Sequence, residues 1–253
     1  MGTALYQLIV AYDGSQFKGF QRQLYARTVQ GELETALRDL GWQGRALLSA
    51  GRTDSGTHAS GQVIAVELDW AHRCKQLREA LNHALPVDVA VMQVRVASAE
   101  FHPRFSATAR VYRYQYYWQP VRDPLRERYA WRVWPKPDAK LMADAARCLI
   151  GEWDFSSLGK TLKADGTTVR NVMRIAWQTT GKDSLAFEIE ANAFLYHMVR
   201  RIAAALVMVG QKRITVNEFV DCFRKRREFP PGLAPAHGLN LVEVKYGQQS
   251  LKE

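Results

Sequence analysis

Cysteine is scarce: 253 residues contain three, Cys74, Cys148 and Cys222. An odd number so widely spaced supports neither a disulfide framework nor a Cys-x-x-Cys metal or redox site, and it implies a reducing compartment. Histidine is sparse too. Six occur, none closer to another than the eleven positions separating His72 from His83, so local His-x-x-x-His zinc spacing is ruled out. Long apolar runs are missing: the most apolar stretch, 191–209, is interrupted by His197, Arg200 and Arg201 and reads as a buried core helix, not a membrane span. The N-terminal MGTALYQLIVAY lacks a basic segment and a small-residue cleavage site, and Tyr6 stands where myristoylation needs Ser or Thr, so a cytoplasmic location is expected. Nucleotide-cradling loops are lacking as well. Gly159-Lys160-Thr161 ends like a phosphate-binding loop, but Asp154 occupies the place of its first glycine; Ser157-x-x-Lys160 lacks the companion elements of a β-lactamase. Neither internal repeats nor low-complexity tracts occur, and no metal is expected.

Acidic residues are outnumbered, 25 Asp and Glu against 35 Lys and Arg, for a net charge of +10. The excess is uneven: residues 1–105 hold 11 basic and 10 acidic side chains, whereas 106–253 hold 24 and 15. Arg outnumbers Lys by 24 to 11, which suits bidentate phosphate contacts and stacking on bases. A basic C-terminal half of this kind points to a polyanion, with nucleic acid the first candidate.

At 47% hydrophobic and 24% charged, the chain has an ordinary globular composition and the length for two domains. The patterns alternate. A strand is predicted over 5–12, a helix capped by Thr28 and stopped by Gly41, strands over 62–69 and 89–96, and between them a helix over 77–85 ended by Pro86. The second half repeats the theme: a strand over 110–118, a helix over 138–150, strands over 172–178 and 185–191, and the core helix. A helix opened by a Thr215/Glu218 capping box and a strand over 239–246 follow. Two α+β domains result, 1–105 and 106–253.

Between Ser49 and Val63 the sequence SAGRTDSGTHASGQV brackets Arg52, Thr53, Asp54 and His58 with Gly51, Gly56 and Gly61, just before a strand. In extended backbone Arg52 and Asp54 share a face, so the guanidinium could pair with the carboxylate and keep it ionised as a nucleophile or general base. The same residues also read as a glycine-rich turn with Asp54 capping amides and Arg52 in a surface ion pair. Asp13, in an Asp-Gly turn, reads as structural.

In FHPRFSATARVYRYQYYW, from Phe101 to Trp118, alternation puts Tyr112, Tyr114, Tyr116 and Trp118 on one sheet face. Tyr114, Tyr116 and Trp118 read as core, while Tyr112, flanked by Arg110 and Arg113, is the candidate for stacking on a base. Arg104, Arg110 and Arg113 are candidate phosphate ligands. The run Arg224 to Arg227 reads equally as a phosphate track or a charged helix end.

GRTDSGTHASGQV resembles the catalytic loop of the tRNA pseudouridine synthase A family, whose pattern is G-R-T-D-x-G-V-H-A. YDGSQFKGFQRQ, TVQGELETAL, FHPRFSATARVYRY, RNVMRI, FLYHMVRRI and APAHGLNLVEVKY resemble further blocks of that family, in order and through nearly the whole chain. The resemblance implies Asp54 as catalytic aspartate, Arg52 as its ion-pair partner, and Tyr112 stacking on the target uracil and taking its C5 proton. It implies an α+β fold of two sandwich-like halves with mostly antiparallel sheets joined into one extended central sheet, the active cleft between them. It also implies a homodimer acting on tRNA at positions 38, 39 and 40 of the anticodon stem-loop, without cofactor. Arg200 takes a place near the cleft, and His58 either contacts RNA or bonds within its loop. Thr57 stands where the family usually has Val, Phe17 and Phe20 where Tyr and Trp are common, Pro103 where Ala is common, and Ala204 where Gly is usual. Two other classes fit the residues alone: an RNA chaperone, indifferent to loss of the Asp54 carboxylate, and a methyltransferase, for which no glycine-rich cofactor loop is present.

Overall fold

The computed structural model describes residues 2–162 and 166–247. The fold is mixed α/β with mostly antiparallel strand pairing, and the chain forms two compact units, 1–110 with 240–253, and 111–239. The division falls after Arg110, not after Phe105, and the last strand belongs with the first unit.

In the first unit, β1 (Ala4–Tyr12) leads through the 13–28 segment to α1 (Val29–Asp39), followed by β2 (Leu48–Ser49), β3 (His58–Leu68), α2 (Cys74–Ala84) and β4 (Val89–Val96). Helix α1 starts where expected because Thr28 Oγ1 accepts the Gly31 N–H at 3.3 Å, and Gly41 follows its end with φ of +91°. Helix α2 buries Leu77 and Leu81, and its Asn82 side chain clamps β4 by donating to the Val91 carbonyl at 2.9 Å and accepting from the Val91 N–H at 2.7 Å. Strand β3 is buried along nearly its whole length, as its Val63–Val66 run requires of a central strand. It starts four residues earlier than periodicity suggested, at His58 itself.

Strand β5 (Ala107–Tyr117) carries the chain into the second unit, which continues with β6 (Trp131–Arg132), α3 (Ala139–Ala146), β7 (Gly151–Asp154), β8 (Val169–Gly181), β9 (Ser184–Ala191), α4 (Met198–Gly210) and α5 (Val216–Arg224). Its sheet runs β5-β9-β8-β7, with β6 alongside β5. Helix α4 is the core element, buried everywhere except around Arg200, Arg201 and Met208. It begins after His197, which sits at φ of +63° and ends the irregular 192–197 segment, so the predicted helix is shorter at its N-terminus. Tyr114 and Tyr116 are fully buried as expected, but Trp118 is only half-buried. Tyr117, from the opposite face, is buried instead, with the Arg126 guanidinium 4.4 Å from its ring centre. The Thr215/Glu218 capping box forms, Glu218 N–H donating to Thr215 Oγ1 at 3.1 Å and Thr215 N–H to the Glu218 carboxylate at 2.7 Å.

Strand β10 (Leu239–Tyr246) closes the first unit's order β4-β1-β3-β10 by pairing parallel with β3, Asn240 opposite His58 and Leu241 opposite Ala59. The contact requires Gly61, since a Cβ there would stand 2.1 Å from the Val242 carbonyl oxygen. Among the described residues no helix is long and apolar enough to cross a membrane.

Candidate active site

The segment joining β2 to β3 carries Arg52 and Asp54, and its backbone is held at both ends. Ala50 N–H donates to the Val63 carbonyl at 2.8 Å, and Thr57 N–H donates to the Asp54 carbonyl at 3.1 Å, closing a turn in which Gly56 has φ of +78°. The 14–20 segment grips the middle. Phe20 N–H donates to the Thr53 carbonyl at 3.1 Å, while Gly56 N–H and the Ser55 hydroxyl donate to the Phe17 carbonyl at 3.3 and 3.1 Å. Gly19, at φ of +93°, allows this approach, because its Cβ would lie 3.0 Å from the Thr53 carbonyl oxygen. The buried Thr53 hydroxyl lies 2.8 Å from that of Tyr12. Asp54 is therefore presented half-buried from a tightly pinned backbone, whereas Arg52 is exposed. Among the described residues the Arg52 side chain makes no ion pair or hydrogen bond.

His58 is buried, and its Nδ1 lies 3.0 Å from the Gly14 N and 3.2 Å from Asp13 Oδ1. One ring nitrogen cannot accept from Gly14 and donate to Asp13 at once. The Gly14 N–H is aimed at it, and Asp13 Oδ1 already takes the Ser15 N–H at 3.0 Å and the Ser15 hydroxyl at 2.6 Å, so Nδ1 is the acceptor. This bond ties His58 to the 13–15 turn, which lies outside its own loop. Asp13 caps the short 3₁₀ turn Gly14–Gln16, as its turn position suggested.

Two residues fix the root of the loop. Gln62 is fully buried; its amide donates to the Gly51 carbonyl at 3.1 Å and its Oε1 accepts the Val63 N–H at 3.1 Å. Periodicity does not mark it, although a lone Gln at the head of the apolar run of β3 is the signal a buried polar tie leaves. Arg110 spends its guanidinium on backbone carbonyls: of Ala50 at 3.2 Å and Arg104 at 2.7 Å from one nitrogen, and of Ala107 at 3.4 Å from the other. Arg104 itself is exposed. Arg52, Asp54, His58, Arg104 and Arg110 thus lie in one unit, joined through Ala50, Arg104 and the 14–20 segment.

Tyr112 and Arg200 belong to the second unit. Tyr112 is half-buried with its ring edge-on to Phe194, centres 4.9 Å apart. Arg200 Nε donates to the Ala234 carbonyl at 2.8 Å. Arg113 pairs with Glu188 at 3.0 Å. In the basic run, Arg224 lies over the Trp153 ring at 3.4 Å, Lys225 pairs with Asp221 at 2.6 Å, and Arg226 with Asp154 at 3.4 Å, so three of the four cations have local partners. A cavity of about 260 Å³ in this unit, lined by Trp131, Trp134, Met208 and Arg213 among others, contains none of the predicted site residues. Among the described residues no group of three or more His, Cys, Asp and Glu is placed to hold a metal.

A family model described as tRNA pseudouridine synthase matches residues 145–247. The tRNA pseudouridine synthase A of Chloroflexus aurantiacus is 39% identical over 246 residues, covering 94% of this chain and 87% of the relative. Proteins of the same name from Thermotoga neapolitana and Cronobacter sakazakii are 38% identical over 240 residues (94% and 98% covered) and 39% over 243 residues (95% and 89% covered).

Proposed function

The chain belongs to the tRNA pseudouridine synthase A family, and we propose that it isomerises uridine to pseudouridine in the anticodon stem-loop of tRNA, at positions 38, 39 or 40. The observation that carries the reading is similarity over some nine-tenths of the chain, together with a carboxylate, Asp54, presented half-buried from a loop held by both its flanks.

The reaction breaks the N1–C1′ bond and joins C5 to C1′; C5 gives up a proton and N1 takes one. Atoms and electrons balance within the nucleotide, so the reaction calls for no redox partner or group donor. One carboxylate can drive it. Asp54 attacks C1′, adds to C6 of the base, or removes the 2′ proton, and each route needs an ionised, oriented oxygen. Arg52 is its proposed partner, pairing with the carboxylate once RNA covers the exposed guanidinium, where screening by water falls away. Tyr112 is assigned to stacking on the uracil and to the C5 proton, and Arg200 to RNA beside it. Arg104 is assigned to phosphate.

The target base must leave its stack, at a cost of about a few kcal/mol, which basic side chains and aromatic stacking offset. The net charge of +10, concentrated beyond residue 105, supplies attraction to tRNA, and a homodimer in the cytoplasm would present it twice. Mapping pseudouridine in an unmodified tRNA transcript tests the reading. The protein is expected to modify positions 38–40 and Asp54→Asn to modify none; equal modification by both, or modification confined to another part of the tRNA, contradicts it.

A further inference from the structure

Phe105 is 79% exposed, in a turn whose hydrogen bonds leave it little freedom. The His102 carbonyl accepts the Ser106 N–H at 2.9 Å, and the His102 N–H donates to Ser106 Oγ at 3.1 Å. His102 Nδ1 accepts from the N–H groups of both Arg104 and Phe105, at 3.1 and 3.3 Å, and the Tyr246 hydroxyl donates to the Pro103 carbonyl at 2.8 Å. The His102 ring lies against that of Phe105, centres 4.4 Å apart and planes inclined by 37°. The Arg104 guanidinium sits 6.0 Å from the Phe105 ring centre and, among the described residues, makes no ion pair.

A single exposed aromatic needs no explanation by itself. Three features set this one apart: the backbone beneath it is fixed, a cation stands beside it, and it is tied to the Asp54 loop. The tie is Arg110, one nitrogen of which holds both the Ala50 carbonyl, four residues before Asp54, and the Arg104 carbonyl, one residue before Phe105. We propose that Phe105 is a nucleobase-stacking platform that takes an unpaired base flanking the target uridine, with Arg104 meeting the adjoining phosphate and Arg110 keeping platform and Asp54 in register. The inference rests on the synthase reading for the identity of the RNA. Its physics is general: every base has a π face, an exposed ring on a rigid turn meets it without ordering cost, and a neighbouring arginine adds charge and cation–π attraction. Phenylalanine cannot carry a proton, so Phe105 acts on binding and target choice and not as a catalytic residue.

The test uses the full chain and an unmodified tRNA transcript, measuring both Kd and the KM for pseudouridine formation. Phe105→Ala is expected to raise both about tenfold, within the roughly five- to 150-fold range that one stacked base represents. Phe105→Trp and Phe105→Tyr should stay within about twofold of the parent, while Phe105→Leu should resemble Phe105→Ala, because apolarity without a π face does not stack. Val87→Ala, at another exposed apolar side chain, should change neither constant. Thermal melting of Phe105→Ala should match the parent, separating lost binding from lost folding. Unchanged Kd and KM in Phe105→Ala, or full rescue by Leu, overturns the platform. A parent protein that binds tRNA without making pseudouridine refutes the synthase reading instead, and the Kd comparison then still decides the platform.

Discussion

Gly14 packs directly on the backbone of Thr57: a Cβ built on Gly14 would stand 2.1 Å from the Thr57 carbonyl oxygen and 2.5 Å from its carbon. Backbone, unlike the end of a flexible side chain, cannot yield to such a contact, so the Asp13-Gly14-Ser15 turn and the end of the Asp54 loop fit only with glycine. Gly14→Ala is expected to cost about 1–3 kcal/mol as an overpacked site and to reduce pseudouridine formation further than that loss explains, by displacing Asp54. Gly51→Ala is the contrast, as nothing lies within 4 Å of its Cβ and its stability should be that of the parent. Thermal melting and turnover of the two variants check both statements.

Thr57 is buried, and its hydroxyl oxygen has no hydrogen-bond partner among the described residues. Replacing that hydroxyl by a methyl group keeps the β-branched shape and removes an unsatisfied polar atom, a defect of about 1–3 kcal/mol. Thr57→Val, which restores the residue usual in the family, is expected to raise the melting temperature by about 2–4 °C per kcal/mol recovered. Differential scanning calorimetry measures it, and a lower Tm would show that the hydroxyl has a partner.

Arg110 is, with Arg104 and Arg113, a candidate phosphate ligand in the sequence, and in the structure its guanidinium binds the carbonyls of Ala50, Arg104 and Ala107. Lysine keeps the charge and loses the planar fork. Arg110→Lys is therefore expected to lower kcat about tenfold while the salt dependence of tRNA binding stays as in the parent. A phosphate contact predicts the opposite pattern: Arg110→Lys nearly normal, and Arg110→Ala reducing the slope of log K against log salt by about one.

These residues show what sequence could and could not carry. The elements were legible where local chemistry decides them: Thr28 and Thr215 cap helices α1 and α5, the Val-rich run of β4 forms its strand over 89–96, and Tyr114 and Tyr116 fall in the core by simple alternation. The short strands β2, β6 and β7 exist only through pairing with distant partners, as Gly151–Asp154 does with Val169–Val172, and no periodicity announces them. The loop bearing Arg52 and Asp54 stood out by its glycines. Its supports, Gln62, Arg110 and the Tyr12 hydroxyl, lie from 11 to 60 positions away along the chain from the atoms they hold, and only the fold brings them together.

Asp183 illustrates the expected pH response. Arg126 binds it through two nitrogens at 2.8 and 3.0 Å, and Gln119 donates to it at 2.7 Å, which pulls its carboxyl down to about 2. A lowered value in the folded state means that the stabilisation is present above the ordinary value of 3.8 and fades as the pH falls toward 2. The carboxylate should therefore remain ionised at pH 3, and Asp183→Asn should flatten the acid limb of the stability profile in that window. Carboxyl NMR titration gives the value directly; a midpoint near 3.8 would mean that the Arg126 pair does not persist in solution.

The most direct test of the account is tritium release from C5-labelled uridine in unmodified tRNA, with no cofactor or metal added. The parent protein is expected to release label and Asp54→Ala to release none while still binding tRNA, since removing the carboxylate removes the chemistry and leaves the basic surface intact. Equal release by the two proteins, or binding by both with release by neither, would contradict a synthase that works through Asp54.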